Sequence, residues 1–105
     1  MSDYRELVKG QAKKFHQENW PVYLADAEEH GGKSPRPNFS KWIDRTTRLN
    51  RVIEDQVAQW THKDYLWVQH NSRNWDPTGG DPRSNAYGSF YRDVLHELKK
   101  LSKQV

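Results

Sequence analysis

The stretch that most constrains this chain is its C-terminal part. Tyr87, Phe90, Tyr91, Val94, Leu95, Leu98 and Leu101 recur at intervals of three and four, which puts them on one continuous helical face. Arg92, Lys99, Lys100 and Lys103 fall outside that face, and the lysines crowd the end where the helix dipole favours cations. A stripe this long needs other helices to cover it. The expectation is therefore an all-α fold, a small bundle of four to five helices forming one domain over residues 1–105.

The remaining helices are read from the same periodicity. Residues 3–18 carry Tyr4, Leu7, Val8, Gln11 and Phe15 on one stripe, with Ser2 as the expected N-cap and Gly10 weakening the helix slightly. "NWPVYLADAEEHGG" reads as a second, shorter helix, with Pro21 in its first turn and Gly31 as its left-handed cap. The linker "GGKSPRPNF" follows, where Pro35 and Pro37 forbid a helix. From Trp42, the positions Thr46, Leu49, Ile53, Gln56 and Trp60 alternate steps of four and three, the seam of a packed third helix. Its polar members, Thr46 and Gln56, lie at the seam's edge or fix its register, which leaves open a homodimer through this helix.

Beyond Trp60 the pattern divides. "THKD" resembles a capping box, with Thr61 as cap and Asp64 reaching back to its amide, and would start a short helix through "YLWVQH". A third helix continuing to His70, or a short buried strand "YLWVQ", are the alternatives; the break at Thr61 is preferred.

Aliphatic side chains are scarce. Leu, Ile, Val and Phe make up 19 of 105 residues, mean hydropathy is −1.18 and 30% of residues are charged, values that approach those of disordered chains. A net charge of only +3, with five Trp and five Tyr, argues for folding around a small aromatic-rich core. Phe15, Trp42, Leu49, Ile53, Trp60, Phe90, Val94 and Leu98 are its expected members.

The chain has no cysteine, which excludes disulfides, thiolate metal sites and thiol catalysis within it. The N-terminal "MSDYRELVKGQ" lacks the apolar core of a signal peptide. No apolar run approaches the roughly 20 residues that span a bilayer. A cytoplasmic protein without a membrane partner is expected. An isoelectric point near 9.2 suits an acidic partner.

"NWDPTGGDPRSN", residues 74–85, is the least helical stretch. "DPTG" matches a type I turn, with Asp76 first and Pro77 second. Asp81 then serves as N-cap with Pro82 at the first helical position. A phosphate loop would place a lysine after its glycines, whereas an acid follows here. Turn chemistry requires neither Trp75 nor Arg83. Trp75 is expected to cap the core, with an exposed binding anchor as the alternative.

For function, the two loops read best together. Lys33, Arg36 and Phe39 from one, and Arg73, Trp75 and Arg83 from the other, would share one end of an up-and-down bundle. That basic, aromatic surface suits an acidic patch on a protein partner, as in an adaptor or inhibitor, or single-stranded nucleic acid. The alternative nucleic-acid surface is a stripe of Lys41, Arg45, Arg48 and Arg51 on the third helix, partly neutralised by Asp44 and Asp55 at i,i+4. No cofactor is expected. The histidines at 16, 30, 62, 70 and 96 lack the spacing of a zinc motif. A small enzyme using His70 or His96 with Asp93 or Tyr91 is the least favoured reading, since no nucleophile elbow is present.

Overall fold

The computed structural model describes residues 3–29 and 39–103. Among them the chain forms five helices and no strand: α1 Tyr4–Glu29, α2 Phe39–Thr46, α3 Arg48–Val57, α4 His62–Asn71 and α5 Pro82–Lys103. The all-α expectation holds. α5 is the central element, contacting each of the other four helices, as its long apolar stripe requires.

Seven of the eight expected core residues are at most 2% exposed: Phe15, Trp42, Leu49, Ile53, Phe90, Val94 and Leu98. Trp60 is half-buried and packs against this cluster, its ring 5.1 Å from that of Phe90. At the far end of α1, Phe39 lies between Trp20 and Tyr23, each ring centroid 5.2 Å away, and stacks on Trp42 at 5.7 Å. Tyrosine and tryptophan rings thus supply volume that the scarce aliphatics cannot.

Two expectations about helix boundaries are corrected. The first and second helices are one, running through Pro21. Tyr4, Val8, Ala12, Phe15, Asn19 and Tyr23 form an unbroken buried stripe at three- and four-residue spacing, and packing along it outweighs the amide that proline lacks. The carbonyl four residues before Pro21 belongs to Gln17, and both residues are exposed, so the lost bond falls on the solvated side. Asn19 hides the stripe's continuity in the sequence. Its side chain is buried yet satisfied, with Nδ2 donating to the Phe15 carbonyl at 3.0 Å and Oδ1 accepting from Arg48 at 3.2 Å. At the start of α1 the Asp3 carboxylate accepts the Arg5 amide at 3.2 Å, as an N-cap does; Ser2 and Gly31 lie outside the described residues.

The expected third helix is in turn divided, at Thr47, which adopts the left-handed conformation with φ 54°. The Thr47 amide closes α2 on the Ile43 carbonyl at 3.0 Å, and Thr46 Oγ1 donates to the Trp42 carbonyl at 2.9 Å. The seam beyond the break is covered within the chain. Leu49, Ile53 and Val57 are at most 3% exposed, with α3 packed on α5.

Local signals further on are realised. Thr61 is the N-cap of α4, and the Asp64 carboxylate accepts its amide at 2.7 Å and its hydroxyl at 3.1 Å. The Asp76–Gly79 turn closes at 3.0 Å, and Asp81 accepts the Arg83 amide at 3.2 Å ahead of Pro82. No helix among the described residues is long and apolar enough to cross a membrane.

Candidate functional site

Of the residues expected on the composite surface, the structure describes Phe39, Arg73, Trp75 and Arg83. Phe39 is 4% exposed, a core residue packed beside Trp20 and Tyr23. Ser72 and Asn74 instead bond Asp93 beside Tyr4, at the opposite end of α1. Tyr4 and Tyr23 are separated by about 28 Å of helix at 1.5 Å per residue. Residues 4–29 form one long helix rather than the two antiparallel ones in the expected topology. Lys33 and Arg36 lie outside the described residues. Trp75 is half-buried against the core, and Arg83 is exposed at the start of α5.

The alternative stripe is divided over two helices. Lys41 and Arg45 sit on α2, Arg48 and Arg51 on α3, with the Thr47 break between them. Arg45 pairs with Asp26 of α1 at 3.3 Å. Arg48 donates to Asn19 and lies over the Trp42 ring at 5.7 Å. These two side chains clamp α2 and α3 to α1. Asp44, expected to neutralise Arg48, accepts the Tyr91 hydroxyl at 3.2 Å instead.

The residues that do converge are at the N-terminal end of α1. Asp93 projects from α5 and accepts three hydrogen bonds: Tyr4 Oη at 2.5 Å, Ser72 Oγ at 2.7 Å and Asn74 Nδ2 at 2.6 Å. Charge-assisted bonds of this length are among the stronger a protein makes. They join α1, the turn after α4, and α5. Burial, reinforced by the adjacent carboxylate, raises the Tyr4 hydroxyl well above the usual phenol range, so at neutral pH it donates.

Around this junction lies an open groove of about 770 Å³. Arg5 and Lys9 rise from α1, Arg73 from the turn, and Arg92, Lys99 and Lys100 from α5; all six line the groove and all are exposed. Beneath them Tyr4 and Val8 are buried, and Asp93, Leu95 and Glu97 are half-buried. The carboxylates lining the groove are Asp3, Asp93 and Glu97, half as many as the cations. A cationic rim thus stands over a partly anionic floor.

Of the described residues expected on the binding surface, Arg73 lines this groove, as do Asp93 and His96 from the least favoured reading. Arg92, Lys99 and Lys100 fall outside the apolar face of α5, and Arg5 and Lys9 are exposed on α1. Nothing local indicated that Tyr4 and Asp93 would bring those sides together. The histidines are dispersed: His70 is exposed on α4, His96 is exposed on the groove's rim, and His16 stacks on Trp20 at 5.0 Å. No cluster of three or more metal-ligating side chains occurs among the described residues.

Fold and groove define a small all-α bundle carrying a basic, polar surface cleft. No protein-family model, no curated protein and no solved structure matches the chain.

Proposed function

We propose that the protein is a small binding module that takes an acidic segment of a protein partner into the groove between α1 and α5. The observation that carries this reading is the ring of six exposed cations around a cleft whose shape is pinned by the Asp93 junction. Pre-set geometry lowers the entropic cost of binding, and cations around a cleft draw an anionic partner in.

Two features favour a protein segment over nucleic acid. Single strands are held by stacking on exposed aromatic rings. The one phenol lining this groove, Tyr4, is 5% exposed and committed to Asp93. The floor carboxylates would also repel a phosphate lying deep in the cleft.

The test is a titration of a labelled glutamate-rich peptide and of a single-stranded oligothymidylate, with the wild type and a Lys9→Glu/Arg92→Glu double variant. The peptide should bind the wild type, and the double variant should weaken it by about tenfold or more, the scale of close charge pairs, at unchanged thermal midpoint. Tighter binding of the oligonucleotide, or peptide binding indifferent to the double variant, would overturn the reading.

A further inference from the structure

We propose that the groove selects a mixed-charge segment, one cationic side chain flanked by acidic residues, and that Glu97 is the residue that reads the cation. This rests on the groove being a binding site for a protein segment, and adds which segments it accepts.

The argument begins with two carboxylates one helical turn apart on α5. Asp93 is engaged by three donors, Tyr4, Ser72 and Asn74, which commit it to the fold. Glu97 is not so fixed. Its side chain is 22% exposed and is met by the Lys100 ammonium at 3.5 Å, and that lysine is itself 58% exposed. A single ion pair to so exposed a lysine is worth little. A ligand guanidinium, which offers two parallel donors to one carboxylate, can displace the lysine, and the freed ammonium stays on the rim for a ligand carboxylate.

Position supports the same conclusion. Glu97 is half-buried and lines the groove together with the exposed Arg5 and Lys9 of α1 and the exposed Lys99 and Lys100 of α5. A segment lying in the groove meets exposed cations from both helices and a half-buried carboxylate among them. Rim and floor therefore make opposite demands. The rim alone would prefer the most negative ligand, whereas Glu97 penalises an acid at the central position and rewards a base there.

That opposition supplies the test. Two glutamate peptides of equal length, one with a central arginine and one with a central glutamine, are titrated into the wild type and a Glu97→Gln variant, with circular dichroism melting as the control for folding. The arginine-centred peptide should bind the wild type about tenfold more tightly, the scale of one charge-assisted hydrogen-bonded contact, although it carries less negative charge. The Glu97→Gln variant should lose that preference and bind the glutamine-centred peptide at least as well as the wild type does. Equal binding of the two peptides, or tighter binding of the glutamine-centred one to the wild type, overturns the selectivity while leaving the acidic-segment reading in place. Failure of both peptides to bind overturns that reading and the selectivity with it.

Discussion

The Tyr4 hydroxyl and the Asp93 carboxylate meet at 2.5 Å across 89 positions of sequence, and this contact joins the start of α1 to the middle of α5. The Tyr4 ring is also held edge-on to Trp67 of α4 at 5.2 Å. One side chain thus ties three helices together, and the groove lies directly over it.

Removing the hydroxyl leaves the ring in place and Asp93 with two donors. Tyr4→Phe should therefore cost about 1–2 kcal/mol of unfolding free energy, and Asp93→Ala, which strands three partly buried donors, about 3 kcal/mol. Urea denaturation measures both. An Asp93→Ala cost no greater than that of Tyr4→Phe would mean that Ser72 and Asn74 take no strength from the carboxylate.

Alkaline pH should weaken the fold in a defined direction. Burial raises the hydroxyls of Tyr4, Tyr87 and Tyr91, that of Tyr91 to about 12, against an ordinary value of 10. The unfolded chain then releases protons near pH 10 that the native state retains. Stability from these groups is complete below that pH and is lost as the pH climbs through the native values. Melting points should fall steadily between about pH 10 and about pH 12, with a shallower fall for Tyr4→Phe. Tyrosinate absorbance should report late ionisation in the native protein.

The parts of this architecture legible in the sequence are those decided within a few residues. Thr61 with Asp64, Asp76 with Gly79, and Asp81 with Pro82 each carry their hydrogen-bond partners in the same turn, so local chemistry fixes them. The two misread boundaries have nonlocal causes. Pro21 reads as a helix start until Tyr23 is known to pack on Trp42 at 5.6 Å. The left-handed Thr47 has no residue signature, because glycine is the usual occupant of that conformation. The groove was illegible for the same reason. Its cations sit on elements far apart in sequence, joined by a tyrosine on a core stripe and an aspartate whose partner lies 89 positions away.

The turn before α5 depends on one glycine more than on its neighbour. Asn85 Oδ1 accepts the Asp76 amide at 3.1 Å, while its Nδ2 donates back to the Asp76 carbonyl at 2.5 Å. A Cβ on Gly79 would lie 2.7 Å from that Nδ2, whereas one on Gly80 would meet nothing within 4 Å. Gly79→Ala should cost about 1 kcal/mol by displacing a hydrogen-bonded amide, with Gly80→Ala close to neutral. Thermal melts of the pair check this, and equal shifts would mean that the Asn85 clasp contributes nothing.

At the α2–α3 break the chain tolerates a β-branched residue where glycine would be at ease. A non-glycine residue with positive φ costs on the order of 1–2 kcal/mol. Thr47 is exposed, and its hydroxyl bonds only the neighbouring Thr46 carbonyl at 2.7 Å among its resolved side-chain contacts. Thr47→Gly should raise stability by about 0.5–1 kcal/mol, the strain relieved exceeding the extra entropy of glycine in the unfolded chain. Thr47→Ala, which keeps the Cβ, should bring no such gain. Chemical denaturation of the two variants separates strain from the lost hydroxyl.

Pro21 provides the sharpest check on the long first helix. Within a continuous helix, proline is about 3 kcal/mol less favourable than alanine, because it deletes one backbone bond and crowds the preceding turn. Its exposed position means that alanine loses almost no packing there. Pro21→Ala should therefore stabilise the protein by about 1–3 kcal/mol, with a higher melting temperature and unchanged or greater helical signal. Were α1 instead two helices meeting at this residue, proline would occupy a favourable first-turn position. Its removal would then lower the melting temperature. The sign of that one shift decides between the two architectures.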